Sequence, residues 1–115
     1  MADCLFCKIV AGEIPAKIVK RSADALAFRD VDPKAPVHVL VIPTRHISAV
    51  RDATGDDGER LLGSLLTFAA AVASEQGLDG EGYRIVTNTG RNAGQSVDHL
   101  HLHVLGGRKM TWPPG

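Results

Sequence analysis

The chain has 115 residues, with 13 Lys plus Arg against 13 Asp plus Glu and a formal net charge of zero. That length supports one hydrophobic core and a single domain over 1–115. The balanced charge excludes the basic field of a nucleic-acid binder, leaving small molecules or proteins as partners. No stretch is apolar for long enough to span a bilayer, and Met1-Ala2-Asp3-Cys4 lacks the basic start and apolar run of a secretory leader. A cytoplasmic protein is expected, and its two cysteines are then thiols or ligands before they are a disulfide.

In chain order, Cys4-Leu5-Phe6-Cys7 opens a short helix that Gly12 ends, with Ile14-Pro15 breaking the chain beyond it. The C-x-x-C admits three readings: a redox pair, half of a zinc site, or two buried small hydrophobes. Residues 16–19 and 25–29 read as strands around the turn Arg21-Ser22-Ala23-Asp24, and the prolines at 33 and 36 make 30–36 a loop. Residues 37–42 form the most strand-like run of the first half, closed by Pro43. His38 lies inside it and His46 just past it.

The one long helix is expected over 58–76. Leu61, Leu62, Leu65, Leu66, Ala69, Val72 and Ala73 recur at helical spacing, Asp56 or Asp57 suits the start, and Gly77 the end. Its alanine-rich second half predicts close approach to a sheet or another helix. Residues 83–89 read as a strand. The glycine-bearing loop 90–96 follows, where Gly94, Gln95 and Ser96 could present backbone N–H groups and a hydroxyl to a phosphate. For that segment alone an ordinary hairpin loop is the favoured reading, and the phosphate reading gains beside the three histidines downstream. The tail from Gly106 cannot continue as helix or strand, and its single tryptophan, Trp112, predicts docking.

The centre of the chain's chemistry is His99-Leu100-His101-Leu102-His103-Val104-Leu105, which holds three of the five histidines. As a strand it places the histidines on one face and Leu100, Leu102 and Val104 on the other. Each buried imidazole needs partners for two ring nitrogens, and protonated neighbours repel. A row of three therefore suits metal ligation, or nucleophilic and acid–base chemistry near neutral pH. Asp98 adds a carboxylate beside the row; it could raise the imidazole pKa values or simply face solvent.

That run matches H-φ-H-φ-H-φ-φ, the signature of the histidine triad (HIT) family, at every position. Phe28-Arg29-Asp30, the segment from Ala35 to Pro43, Asn88-Thr89-Gly90, Gly94-Gln95-Ser96-Val97 and Trp112-Pro113-Pro114-Gly115 also resemble the Hint branch, in the right order. The resemblance implies an α+β, HIT-like fold: a five-stranded antiparallel sheet with one long and one short helix, in a homodimer. It further implies hydrolysis of purine nucleoside phosphoramidates through a nucleotidyl-histidine, with release of a nucleoside monophosphate. Carried over residue by residue, His101 is the nucleophile. His103, Asn88, Gly94, Gln95 and Ser96 meet the phosphate, and Ser96 or an imidazole supplies the leaving-group proton. His38 supports the triad, Asp30 binds the ribose, and Phe6, Ile9, Phe28 and Val31 wall the base.

Relatives that begin with C-x-x-C imply a structural zinc held by Cys4, Cys7, His46 and His99, a closed Cys2His2 set. His99 would then be a ligand and not a proton relay. Two reduced, buried cysteines without metal are the alternative. Other activities compatible with the same histidine are a dinucleoside-polyphosphate hydrolase or nucleotidyl transferase, and a non-catalytic nucleotide-binding interaction module.

Overall fold

A computed structural model describes residues 3–115; Met1 and Ala2, where the leader was sought, lie outside it. The elements are α1 (Leu5–Val10), β1 (Ile18–Arg21), β2 (Ala25–Arg29), β3 (Val37–Pro43), α2 (Gly55–Glu75), β4 (Tyr83–Val86) and β5 (Leu102–Gly106). Short 3-10 turns lie at Val50–Asp52 and Arg91–Ala93. The five strands form one antiparallel sheet in the order β1-β2-β3-β5-β4.

Strand alternation sorts the side chains into two cores. Ala25, Ala27, Val39, Val41, Leu102 and Val104 face α2, whose Leu61, Leu65, Ala69, Val72 and Ala73 fill the same cluster. Alanines on both sides let helix and sheet approach closely, as the helix composition predicted. Leu26, Phe28, Leu40 and Ile42 point the other way and pack on Phe6 and Ile9 of α1. Each fully buried Leu or Ile in these layers stabilises the fold by about 1.5–3 kcal/mol. The short helix therefore covers the sheet face from which the histidines also project.

Four boundaries differ from expectation. β1 runs two residues later than 16–19, because the Ser22 N–H bonds Ala25 O (2.9 Å) and the Ala25 N–H bonds the Ser22 hydroxyl (3.1 Å), so pairing continues to a tight turn. α2 begins at Gly55 after N-cap Thr54; Asp56 and Asp57 sit in its first turn, where carboxylates favour the helix dipole. β4 stops at Val86, and the chain leaves the sheet toward Gly90, whose φ is 85°.

The histidine stretch is the fourth correction: the strand begins at Leu102, so His99 and His101 precede it and only His103 is a strand residue. The last β3–β5 pair is Val41 with Leu102. Beyond it Pro43 has no N–H to extend the ladder, and its carbonyl is taken by the His99 ring at 3.0 Å. The segment is held instead by Leu100 N–H to Ile47 O (2.6 Å) and by the Thr87 hydroxyl to His101 O (2.8 Å). In the tail, Arg84 donates to the carbonyls of Thr111 and Pro113. The Trp112 ring itself stays 85% exposed, so the docking expected of it does not occur within the chain.

Candidate active site and metal cluster

His101 is buried, and its Nδ1 lies 2.7 Å from His99 O. A carbonyl can only accept, so Nδ1 carries a hydrogen, and in the neutral ring Nε2 is the nitrogen with the lone pair. Phe6 meets the His101 ring edge-on, with centroids 5.2 Å apart, and fixes its tilt. An imidazole in that tautomer offers Nε2 as its reactive nitrogen.

His103 lies on the neighbouring turn of the pleat, its ring centroid 5.1 Å from that of His101. Its Nδ1 is 2.9 Å from Nε2 of His38 on β3. The Lys34 backbone N–H donates to His38 Nδ1 at 3.0 Å, so the His38 proton sits on Nε2 and is donated to His103. His103 is left with its own proton on Nε2, where it serves as a donor. Burial pushes His103 down to about 4, helped by the neighbouring His101 and His38, and burial lowers His38 as well against the opposing pull of Asp30. Both rings are neutral near pH 7.

These groups open into a cavity of ≈ 220 Å³ whose walls include Phe6, Ile9, Phe28, Asp30 and Val31, with Ser96, His101 and His103 among its polar lining. The four residues that the resemblance implied as base walls, Phe6, Ile9, Phe28 and Val31, all line it. Leu5, Arg29, Leu40 and Val97 also line it and carried no sequence signal of their own. Asp30 Oδ1 accepts the Asp32 N–H at 2.8 Å, and its Oδ2 stands 3.4 Å from His38 Nε2.

The glycine loop is arranged differently from expectation. The Gly94 and Gln95 N–H groups bond Arg91 O and Gly90 O, both at 3.1 Å. The Gln95 side chain accepts from Gly90 N–H (2.8 Å) and donates to Ser48 O (2.6 Å) and Val97 O (3.1 Å). Asn88 donates to Ala93 O at 3.0 Å. These three residues shape the loop and do not line the cavity, whereas Ser96 does. Ser96 also borders an adjoining cleft of ≈ 560 Å³ shared with Ser48, Val97 and exposed Asp98.

His99 belongs to a second cluster. Cys4, Cys7, His46 and His99 present ligand atoms within 4.8 Å of one another. Cys4 Sγ and Cys7 Sγ stand 3.3 and 3.6 Å from His99 Nδ1, and Cys7 Sγ stands 3.3 Å from His46 Nδ1. Tetrahedral S–M–N edges for zinc bond lengths are about 3.6 Å, so the set fits a four-coordinate ion. His99 Nε2–H donates to Pro43 O, which leaves Nδ1 free to ligate, the usual outer partner of a metal-bound imidazole. Burial and the adjacent Cys4 raise the Cys7 thiol, so without a cation it stays protonated. The sequence expectation that these four converge is met.

Asp30, His38 and His103 also lie within 4.8 Å of one another. Their donor set does not suit a cation, because the Lys34 N–H puts the His38 proton on the nitrogen that would ligate. Nothing in the sequence marked Lys34: the contribution is its backbone amide, and the side chain points elsewhere, to Asp32.

The HIT domain family matches residues 11–110. An uncharacterized HIT-like protein of Synechococcus elongatus is 53% identical over 113 residues, covering 98% of this chain and 97% of that protein. Among solved structures, a HIT family hydrolase from Legionella pneumophila superposes with a TM-score of 0.94 at 51% identity, covering 98% and 100% of the two chains. A histidine triad protein from Clostridium difficile gives 0.91 at 39% identity, covering 96% of each.

Proposed function

The chain belongs to the HIT domain family, and from that footing we propose that it hydrolyses purine nucleoside phosphoramidates through a nucleotidyl-His101 intermediate. The observation that carries this reading is the 2.7 Å bond from His101 Nδ1 to His99 O, which leaves Nε2 as the reactive nitrogen of a ring that lines a cavity with apolar walls and Asp30 among its lining. The base packs between Phe6, Ile9, Phe28 and Val31, and Asp30 Oδ2 accepts from the ribose hydroxyls. Nε2 of His101 then attacks the α-phosphorus and the P–N bond breaks. The leaving nitrogen takes a proton by way of the Ser96 hydroxyl and departs through the cleft beside Asp98. His103 Nε2–H is in place to stabilise charge on the phosphoryl oxygens. Water attacks phosphorus in the second step, His101 leaves as neutral imidazole, and a nucleoside monophosphate and a proton are released.

Cys4, Cys7, His46 and His99 would hold a structural zinc ion, which ties α1 to the start of the histidine segment and takes no part in the reaction. Edge strand β4, Leu66 at 50% exposure and Trp112 at 85% support a homodimer. Among the described residues no helix is long and apolar enough to cross a membrane.

The test is intact-protein mass spectrometry after brief mixing with adenosine 5′-phosphoramidate. Wild type should gain one acid-labile adenylate, and His101→Ala and His101→Gly none. Nucleotide binding without any AMP release would leave a binding module in place of the enzyme.

A further inference from the structure

Lys34 sets the direction of the His38–His103 proton chain through its amide, and that amide belongs to an exposed loop between Pro33 and Pro36 that needs its own support. The support comes from the chain just after β5. Arg108 Nε donates to Lys34 O at 3.0 Å, taking hold of the same residue whose N–H meets His38. One residue earlier, Gly107 has φ 89°, and a Cβ built there would lie 3.0 Å from Pro36 Cβ. The turn therefore lies flush on the loop at one point and is hydrogen-bonded to it at another.

We propose that Gly107 and Arg108 are positioning residues that clamp the 33–36 loop, so that the Lys34 amide holds His38, and through it His103, in the Nε2–H tautomer. A neutral imidazole whose Nδ1 accepts must carry its proton on Nε2. His38 then donates to His103 Nδ1, and His103 must present Nε2–H to the cavity it lines. If the loop lifts, His38 loses the donor to Nδ1, and only the more distant Asp30 carboxylate, 3.4 Å from Nε2, still favours the Nε2–H form. Its tautomers then mix, and in the wrong one His103 loses its donor in the cavity. His101 is insulated from this, because its own tautomer is fixed by His99 O. The clamp acts through Lys34, His38 and His103 and touches no substrate.

The functional consequence rests on the phosphoramidase reading, but the tautomers do not, and the experiment separates them. Two-dimensional ¹⁵N–¹H imidazole spectra of the full chain without ligand assign the tautomer of each histidine near pH 7.5. Wild type should show Nε2–H at His38 and His103 and Nδ1–H at His101. A wild-type His38 with its proton on Nδ1 overturns the proposal before any variant is made. Arg108→Ala and Gly107→Ala should each shift His38 and His103 toward mixed tautomers while His101 stays unchanged, and Arg108→Lys should partly restore the pattern. Loss of that one hydrogen bond predicts roughly a fivefold fall in kcat with KM unmoved. Gly107→Ala serves where Arg108→Ala fails to fold. Pure Nε2–H tautomers at His38 and His103 in a folded variant refute the clamp, whatever the activity.

Discussion

Nε2 of His38 and Nδ1 of His103 lie 2.9 Å apart across neighbouring strands β3 and β5. Burial favours the neutral form of both rings, and protonating both at that distance would add repulsion. Burial puts His103 near 4 when folded against 6.5 as a free side chain, and lowers His38 in the same direction. Between these limits the unfolded chain binds more protons than the folded one, so stability declines as pH falls from about 6.5 toward about 4. Urea midpoints at pH 7.5, 6 and 5 should drop progressively, and His103→Gln should flatten the slope. Equal midpoints at pH 7.5 and pH 5 would contradict neutral burial. Turnover should stay flat from about pH 7 to 8, where both rings keep their protonation.

Asp30 can be separated from the chemistry. Its Oδ1 is used by the Asp32 N–H, which leaves Oδ2 for a ribose hydroxyl. Asp30→Ala should weaken AMP binding by about 10–100-fold, the worth of hydrogen bonds to a charged group. The neighbouring carboxylate raises His38, so its removal leaves that ring neutral and kcat within a few-fold of wild type. Calorimetry with AMP and 2′-deoxy-AMP is the check: wild type discriminates and the variant does not. Undiminished discrimination in Asp30→Ala would move ribose recognition elsewhere.

The zinc assignment makes a compositional claim. Purified protein should carry one equivalent by elemental analysis, and Cys4→Ser with Cys7→Ser should carry none. Chelation should lower Tm by about 5 °C or more, because binding free energy at a site formed only on folding is folding free energy. Nucleotide affinity should fall too, since Phe6 lies between the two cysteines and contacts both the His99 and His101 rings. A metal-free protein whose Tm ignores chelators would leave the cysteines as reduced thiols.

Side-chain periodicity made much of this legible. The α2 stripe, the presence of five strands and the placing of Leu102 and Val104 opposite His103 follow from spacing alone, whereas Phe6 and Phe28 are joined only by resemblance. The cysteines and His46 could be joined to His99 only by resemblance, because separations of 95 and 92 positions for the cysteines, and about half that for His46, leave no local trace of their meeting. What stayed hidden was backbone chemistry. Residue types do not reveal that Pro43 O takes the His99 ring, or that His99 O and the Lys34 amide set two tautomers. For the same reason the amides of Gly94 and Gln95 looked free for phosphate while the loop uses both.

Two glycines of α2 give opposite signs to one substitution. A Cβ on Gly58 would lie 2.2 Å from the carbonyl carbon of Ala53, a backbone atom anchored by Ala53 N–H to Val50 O at 3.0 Å. Gly63 meets nothing within 4 Å. Helix propensity favours alanine over glycine by about 1 kcal/mol at either position. At Gly63 that gain should appear nearly whole, as a higher urea midpoint. At Gly58 the helix must shift from the turn before it or the turn must open, which costs about 1–3 kcal/mol and outweighs the propensity. Gly63→Ala should stabilise and Gly58→Ala destabilise, with unchanged m-values in both. If Gly58→Ala also stabilised the protein, the close approach of α2 to Ala53 would not be a constraint in solution.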